Sequence, residues 1–167
     1  VIDVADKDVR SFVVFRLGSE EYGVAIERVQ SIIRYEEPTP VPRAPEMVQG
    51  VINMRGRVIP VLDLSKRLLG TVFEASPHAR IVVAESEAGL LGLAVDAANE
   101  VVSIPVDAIQ PPPEGILTQE TAAAITGVAE RGERLVILLD LDETVPPAEY
   151  ASSVPVDPAG KEGESDV

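Results

Sequence analysis

Few side chains in this chain of 167 residues are equipped for catalysis. His78 is the single histidine and follows Pro77 in a polar stretch, so a metal cluster or a Ser/His/Asp relay has little to start from. Cysteine is absent, which removes both thiolate chemistry and a disulfide framework. The sequence contains neither a phosphate-cradling loop followed by Lys-Ser/Thr nor a dinucleotide fingerprint. The sharpest enzymatic idea rests on Asp63 and Asp140, because two carboxylates related by internal symmetry can share one proton. That chemistry wants each aspartate on a tight Asp-Thr/Ser-Gly loop, whereas here Leu64 follows Asp63 and Leu141 follows Asp140. Both are read as strand ends that cap a helix. Arg55, followed by Gly56, has three open readings: a guanidinium that ties down carbonyls of its own barrel, a planar fork offered to a partner, or a solvated surface charge. No metal or cofactor is expected.

The two aspartates close stretches that say nearly the same thing. Gly50-Val-Ile-Asn-Met-Arg-Gly-Arg-Val-Ile-Pro-Val-Leu-Asp-Leu64 matches Gly127-Val-Ala-Glu-Arg-Gly-Glu-Arg-Leu-Val-Ile-Leu-Leu-Asp-Leu141 at an offset of 77 residues. Upstream, Tyr22-Gly-Val-Ala-Ile26 with Val29 and Ile32-Ile33 matches Leu91-Gly-Leu-Ala-Val95 with Ala98 and Val101-Val102 at an offset of 69. One insertion of eight residues in the second copy reconciles the offsets, and the Pro-rich stretch 105–118 is its natural place. The chain is therefore read as a duplicated module, with function sought between the copies.

Within each copy, short β-branched runs alternate with turn signals. Residues 11–17 and 22–26 form a hairpin around 18–21, and residues 50–54 and 58–62 form another around Arg55-Gly56. Gly56 is read as supplying a turn dihedral that other residues adopt at a cost. Four prolines in residues 36–45 exclude a helix interior and a central strand, so that segment is expected to cross the surface extended. Asp63 is expected to cap a short helix over 64–69 that Gly70 closes. The second copy runs through strands at 80–84, 90–95, 101–104, 125–129 and 135–139. Two small antiparallel barrels, rather than a parallel sheet, fit this pattern, and they would leave a groove between them.

Composition narrows the partners. With 28 acidic against 14 basic residues the net charge is −14, and Lys7, Lys66 and Lys161 are the only lysines, so phosphate backbones and anionic headgroups are repelled. An acidic excess of this kind suits either an ordinary acidic protein or one from a saline cytoplasm. No run approaches the eighteen apolar residues of a membrane span, and a soluble chain is expected. Residues 1–10 are expected to be a loose lead-in, and the acidic Pro/Gly-containing stretch 146–167 a disordered tail, of which part of Glu149 to Ser153 can dock as a turn of helix.

Taken in order, Phe15-Arg-Leu-Gly-Ser-Glu-Glu-Tyr-Gly-Val-Ala-Ile26 with Val29, Val41-Pro-Arg-Ala-Pro45, Gly50-Val-Ile-Asn-Met-Arg-Gly56, Val58-Ile-Pro-Val-Leu-Asp-Leu64, Leu93-Ala-Val-Asp96 and Val101-Val102 resemble the CheW family of chemotaxis adaptors. The resemblance implies an all-β fold of two five-stranded SH3-like barrels related by a pseudo-twofold, with short helices. It places the CheW-like domain at residues 11–145, as two intertwined subdomains of about 11–75 and 79–145. It also implies a scaffold without enzymatic activity or cofactor, located in the cytoplasm at receptor arrays. The implied partners are the histidine kinase CheA, through its CheW-like regulatory domain, and the cytoplasmic tip of a methyl-accepting chemoreceptor. By the same resemblance Val29, Arg55 and Val101 are receptor-side positions, and Gly50, Gly56 and Gly132 shape kinase-side loops. Ser31 departs from the acidic residue that many relatives carry there. Two other readings stay open: a CheW-like module of a larger chain (a CheV-type adaptor or a kinase regulatory domain), and a small-molecule-binding or hydrolytic barrel.

Overall fold

A computed structural model describes residues 8–113, 115, 119–147 and 150. Eleven strands are present among them: β1 (Val9–Leu17), β2 (Glu20–Ala25), β3 (Val29–Arg34), β4 (Val48–Met54), β5 (Arg57–Asp63), β6 (Arg80–Ser86), β7 (Gly89–Val95), β8 (Ala97–Pro105), β9 (Ile109–Gln110), β10 (Ile125–Arg131) and β11 (Arg134–Leu139). Three short helices join them, α1 (Leu64–Leu69), α2 (Gln119–Ala124) and α3 (Leu141–Thr144), with 3₁₀ turns at Ile26–Arg28 and Val106–Ala108.

The strands form two sheets, in the orders β8-β1-β2-β11-β10-β9 and β3-β6-β7-β5-β4, which we call the first and second barrel. Carried through the repeat, β1, β2, β3, β4 and β5 correspond to β6, β7, β8, β10 and β11, and one sheet order becomes the other. The sixth strand, β9, is two residues long, and its counterpart in the second barrel is a single bridge from Thr39 to Val51. Each barrel nevertheless mixes the copies. The β1–β2 hairpin joins β11 through a parallel pair, and β6–β7 joins β5 in the same way. Each copy of the repeat thus contributes strands to both barrels.

The repeated Tyr22-Gly23 and Leu91-Gly92 pairs lie at these parallel seams. A Cβ on Gly92 would stand 2.7 Å from Cγ2 of Ile81, and one on Gly23 would stand 3.1 Å from Cδ2 of Leu138. Only a residue without a side chain lets the neighbouring strands close at this spacing. A central apolar core spans both sheets through Phe15, Leu17, Tyr22, Leu62, Leu93 and Leu139, and each barrel adds a smaller cluster of its own. Because the large cluster is shared, the barrels stabilise each other.

Both chain ends are more ordered than the sequence suggests. The expected lead-in 1–10 already pairs at Val9 and Arg10 with β8, while residues 1–7 lie outside the described residues. Within the expected tail Tyr150 docks, buried in the central core with Val145, where the Tyr150 hydroxyl lies 2.6 Å from Oγ of Ser86. An aromatic ring brings enough apolar area to order a segment that composition alone assigns to a tail. The remainder of that tail, 151–167, lies outside the described residues.

Each aspartate caps the helix that follows it. Asp63 Oδ1 accepts the N–H of Lys66 at 3.0 Å, and Asp140 Oδ1 accepts the N–H of Glu143 at 3.1 Å. Asp63 is buried and also accepts the N–H of Phe73 through Oδ2 at 3.0 Å, so it ties the loop after α1 to the end of β5. Asp63→Ala is therefore expected to cost about 2–3 kcal/mol, and Asp140→Ala about 1 kcal/mol, in urea unfolding. Equal losses would mean that the Phe73 bond contributes nothing.

Candidate functional site

The two-residue turns at the barrel ends are built by local backbone chemistry. Arg55 and Gly56 both have positive φ, 55° and 84°, as a tight turn between twisted strands requires, and the Gly56 N–H donates to Oδ1 of Asn53 at 2.9 Å. The Arg55 side chain is exposed and its guanidinium has no partner among the described residues. Of its three readings, bracing its own barrel is the one without a contact. In the first barrel the corresponding turn is Gly132 and Glu133, with Gly132 at φ 66° and exposed.

Beside each turn stands an aliphatic side chain that the sequence reading did not single out. Val58 on β5 is 38% exposed and Leu135 on β11 is 53% exposed, and they occupy the same position of the repeat. A second such pair lies on the outermost strands: Ile32 on β3, 41% exposed, corresponds to Val101 on β8, 54% exposed. The repeat offsets were the signal available for both pairs. The four exposed aliphatics fall at two matched positions of the repeat, which makes the surfaces around them candidates for meeting a partner.

The expected receptor-side residues divide between these features. Val29, at the start of β3, is half-buried against the central core, as is its repeat counterpart Ala98 on β8. Strand β3 pairs with β6, and β8 also approaches β6, so Val29 and Val101 stand on edge strands that flank one another across it. Arg55 instead lies on a turn beside Gly56, so neighbouring residues of one turn had been assigned to different partners. Gly50 is buried within β4 and is not part of an exposed loop. The Ser31 hydroxyl, at the β3 bulge, is buried without a hydrogen-bond partner among the described residues.

The two barrel ends differ in chemistry. Next to the first barrel's turn, buried Glu21 accepts Nη1 of Arg134 at 3.0 Å and Nη1 of Arg131 at 3.4 Å, and Arg131 also pairs with Glu100. In the second barrel the counterparts of Glu21 and Arg131 are Leu90 and Met54, which pack against that barrel's apolar cluster. One end is thus held by an ion network, and the other by apolar contact.

Nothing here assembles a catalytic centre. Both capping aspartates spend an oxygen on a backbone N–H, His78 is exposed, and no group of three or more His, Asp or Glu side chains able to hold a metal occurs among the described residues. Tyr22, Tyr35 and Tyr150 have pKa values pushed above the usual 10, chiefly by burial, which makes them poorer proton donors near neutrality. No helix among the described residues is long and apolar enough to cross a membrane.

Comparison with known proteins gives a consistent result. The pattern of the CheW-like domain family matches residues 11–148. The chain is 32% identical to the chemotaxis protein CheW of Klebsiella aerogenes over 142 residues, covering 85% of each chain. It is 32% identical to that of Bacillus subtilis over 149 residues, covering 89% of this chain and 95% of the relative. Its structure resembles the crystal structure of the scaffolding protein TtCheW from Thermoanaerobacter tengcongensis, with a TM-score of 0.72 and 34% identity over 80% of this chain and 86% of that one.

Proposed function

This chain belongs to the CheW-like family, and from that premise we propose that it is a non-catalytic chemotaxis adaptor, working in the cytoplasm, that couples methyl-accepting chemoreceptors to the histidine kinase CheA. The observation that carries the reading is the set of matched exposed aliphatics, Ile32 with Val101 and Val58 with Leu135. Apolar anchors of this kind can receive the ridge of a helix or the end of another barrel without any reacting group.

In this reading the edge strands β3 and β8, with Val29, Ile32 and Val101, receive the receptor's helical tip. Gly56 and the turn at Gly132-Glu133, with Val58 and Leu135, face the CheW-like regulatory domain of the kinase, while the exposed Arg55 side chain extends to the receptor side. The different supports of the two turns, ionic beside Gly132 and apolar beside Arg55, let each barrel end select a different surface. The acidic surface of a chain with net charge −14 then governs encounter rate and partner choice more than affinity.

Arg55 tests how far the receptor surface extends. With no internal partner, Arg55→Ala is expected to leave the unfolding midpoint unchanged and to weaken capture by a receptor signalling fragment about tenfold, the effect of one lost charge-assisted contact. Equal capture of variant and wild type would remove Arg55 from the receptor surface. Loss of kinase assembly with receptor capture intact would move it to the kinase side, beside Gly56.

A further inference from the structure

The duplication allows one corner of each barrel to be compared with the other, at the end opposite the hairpin turns. In the first barrel that corner holds Asp140 and Thr126, and its cavity is small, about 100 Å³. The chain's own cations stand at its wall: Arg10 and Arg28 line the cavity, and the Arg10 guanidinium carbon lies 5.3 Å from the centroid of the Phe12 ring. A guanidinium at that distance from an aromatic face is attracted by the ring quadrupole.

In the second barrel the counterparts of Asp140 and Thr126 are Asp63 and Gln49, and both line a cavity of about 590 Å³. The counterpart of Arg10 is Ala79, and among the described residues neither arginine nor lysine lines this cavity. An aromatic surface is nonetheless present, because Tyr35 and Phe73 stack at 4.8 Å between centroids with a tilt of 43°. The Tyr35 hydroxyl donates to Oε1 of Gln49 at 2.9 Å, which fixes the ring at the wall. Asp63 is buried and bonded to two backbone N–H groups, and it has no ion pair among the described residues, where the Lys66 ammonium pairs with Glu46 at 3.1 Å. Glu37 adds an exposed carboxylate at the mouth. After burial, the charges of Glu37 and Asp63 are what raise the Tyr35 pKa, so both fields reach the aromatic wall.

We propose that this cavity is a binding site for an arginine side chain of a partner polypeptide, which would set a guanidinium against an aromatic wall as Arg10 does beside the other barrel's cavity. Arginine fits better than lysine because a planar guanidinium stacks on a ring while its edge donates to a carboxylate and an amide oxygen. A peptide fits better than a free amine because the cavity exceeds one side chain in volume and its lip carries Val72, 67% exposed, beside Pro38 and Pro40. The arginine has to come from outside, since every arginine of this chain lies among the described residues and none lines the cavity. The site shares no residue with the receptor and kinase surfaces of the adaptor reading and does not depend on it, although Tyr35 directly follows β3.

The test uses the isotopically labelled full chain, its backbone amide shifts, and a blocked tripeptide, acetyl-Leu-Arg-Leu-amide, with a citrulline version as the neutral isostere. The arginine peptide is expected to shift the amides of Tyr35, Gln49 and Phe73 saturably, and the citrulline peptide to bind about tenfold more weakly. Glu37→Gln, a surface change, is expected to weaken the arginine peptide by about threefold to tenfold. Ala79→Arg, where it folds, is expected to fill the cavity and abolish the shifts. The absence of a saturable shift, or equal binding of the citrulline peptide, would overturn the proposal. Movement of the same amides with protein concentration, without peptide, would place a second copy's arginine there and overturn the assignment to a partner.

Discussion

Gly50→Ala is expected to destabilise the protein by about 3 kcal/mol, a large share of the roughly 5–15 kcal/mol that holds a domain of this size together. A Cβ at this position would overlap the carbonyl of Thr39, and it would also lie 3.0 Å from Cβ of Pro38. The obstacle is backbone, which does not swing aside as the end of a side chain does. Thr39 and Val51 exchange backbone hydrogen bonds at 2.8 and 2.9 Å, so relieving the overlap detaches the proline-rich crossing from β4. The backbone at Gly50, with φ at 155°, adds strain for any L side chain. Gly56→Ala is the control, because its Cβ would meet nothing within 4 Å, and only the left-handed turn dihedral opposes it, at about 1 kcal/mol. Urea or thermal unfolding of both variants decides the matter, with a drop of about 10 °C in Tm expected for Gly50→Ala. A Gly50→Ala protein with unchanged Tm and lost kinase binding would restore Gly50 as a contact residue. The expected result makes it a packing residue whose variants lose partners by losing the fold around Thr39.

Leu135→Asp and Val58→Asp are each expected to lower kinase activation at least about tenfold in a reconstituted mixture of receptor, kinase and adaptor. Both side chains are exposed in the free protein, so neither substitution removes core packing, and stability is expected to change by no more than about 0.5 kcal/mol. In the assembly each would replace an apolar anchor with a carboxylate that the closing interface strips of water, which costs about 2–3 kcal/mol when no partner compensates. Receptor capture by the same variants is expected to persist, since Ile32 and Val101 lie on other strands. Full kinase activation by both folded variants would place the kinase surface elsewhere. Activation lost only in Leu135→Asp would show that the end braced by Glu21, Arg131 and Arg134 alone meets the kinase.

Much of this architecture is legible in the sequence because it is local. The Arg55-Gly56 turn follows from two residues placed between aliphatic runs. The helix Leu64–Leu69 follows from a capping Asp63 and a closing Gly70, whose φ is 76°. The duplication reveals itself by plain self-similarity, and it also contains the signal, not followed at first, that pairs Ile32 with Val101 and Val58 with Leu135. The eight-residue insertion falls between β8 and β10, where β9 and α2 lie.

The sequence by itself determined which residues form strands, turns and caps, and that the pattern occurs twice, since spacing and side-chain type decide those within a few residues. Only the tertiary structure decided that β2 pairs with β11 and β7 with β5, so that each barrel is assembled from both copies. Strand periodicity reports which face is buried but not which distant strand supplies the neighbour, and a parallel pair leaves no turn signature between its members. The same limit applies to Gly50, whose requirement for glycine comes from Thr39 eleven residues away, and to Glu21, whose partners Arg131 and Arg134 lie more than a hundred residues along the chain. It applies to Tyr150, which reads as part of a tail until the central core shows where its ring is buried. Long-range closure of this kind is settled by the core that both barrels share, where apolar area from both copies outweighs the entropy of bringing distant segments together.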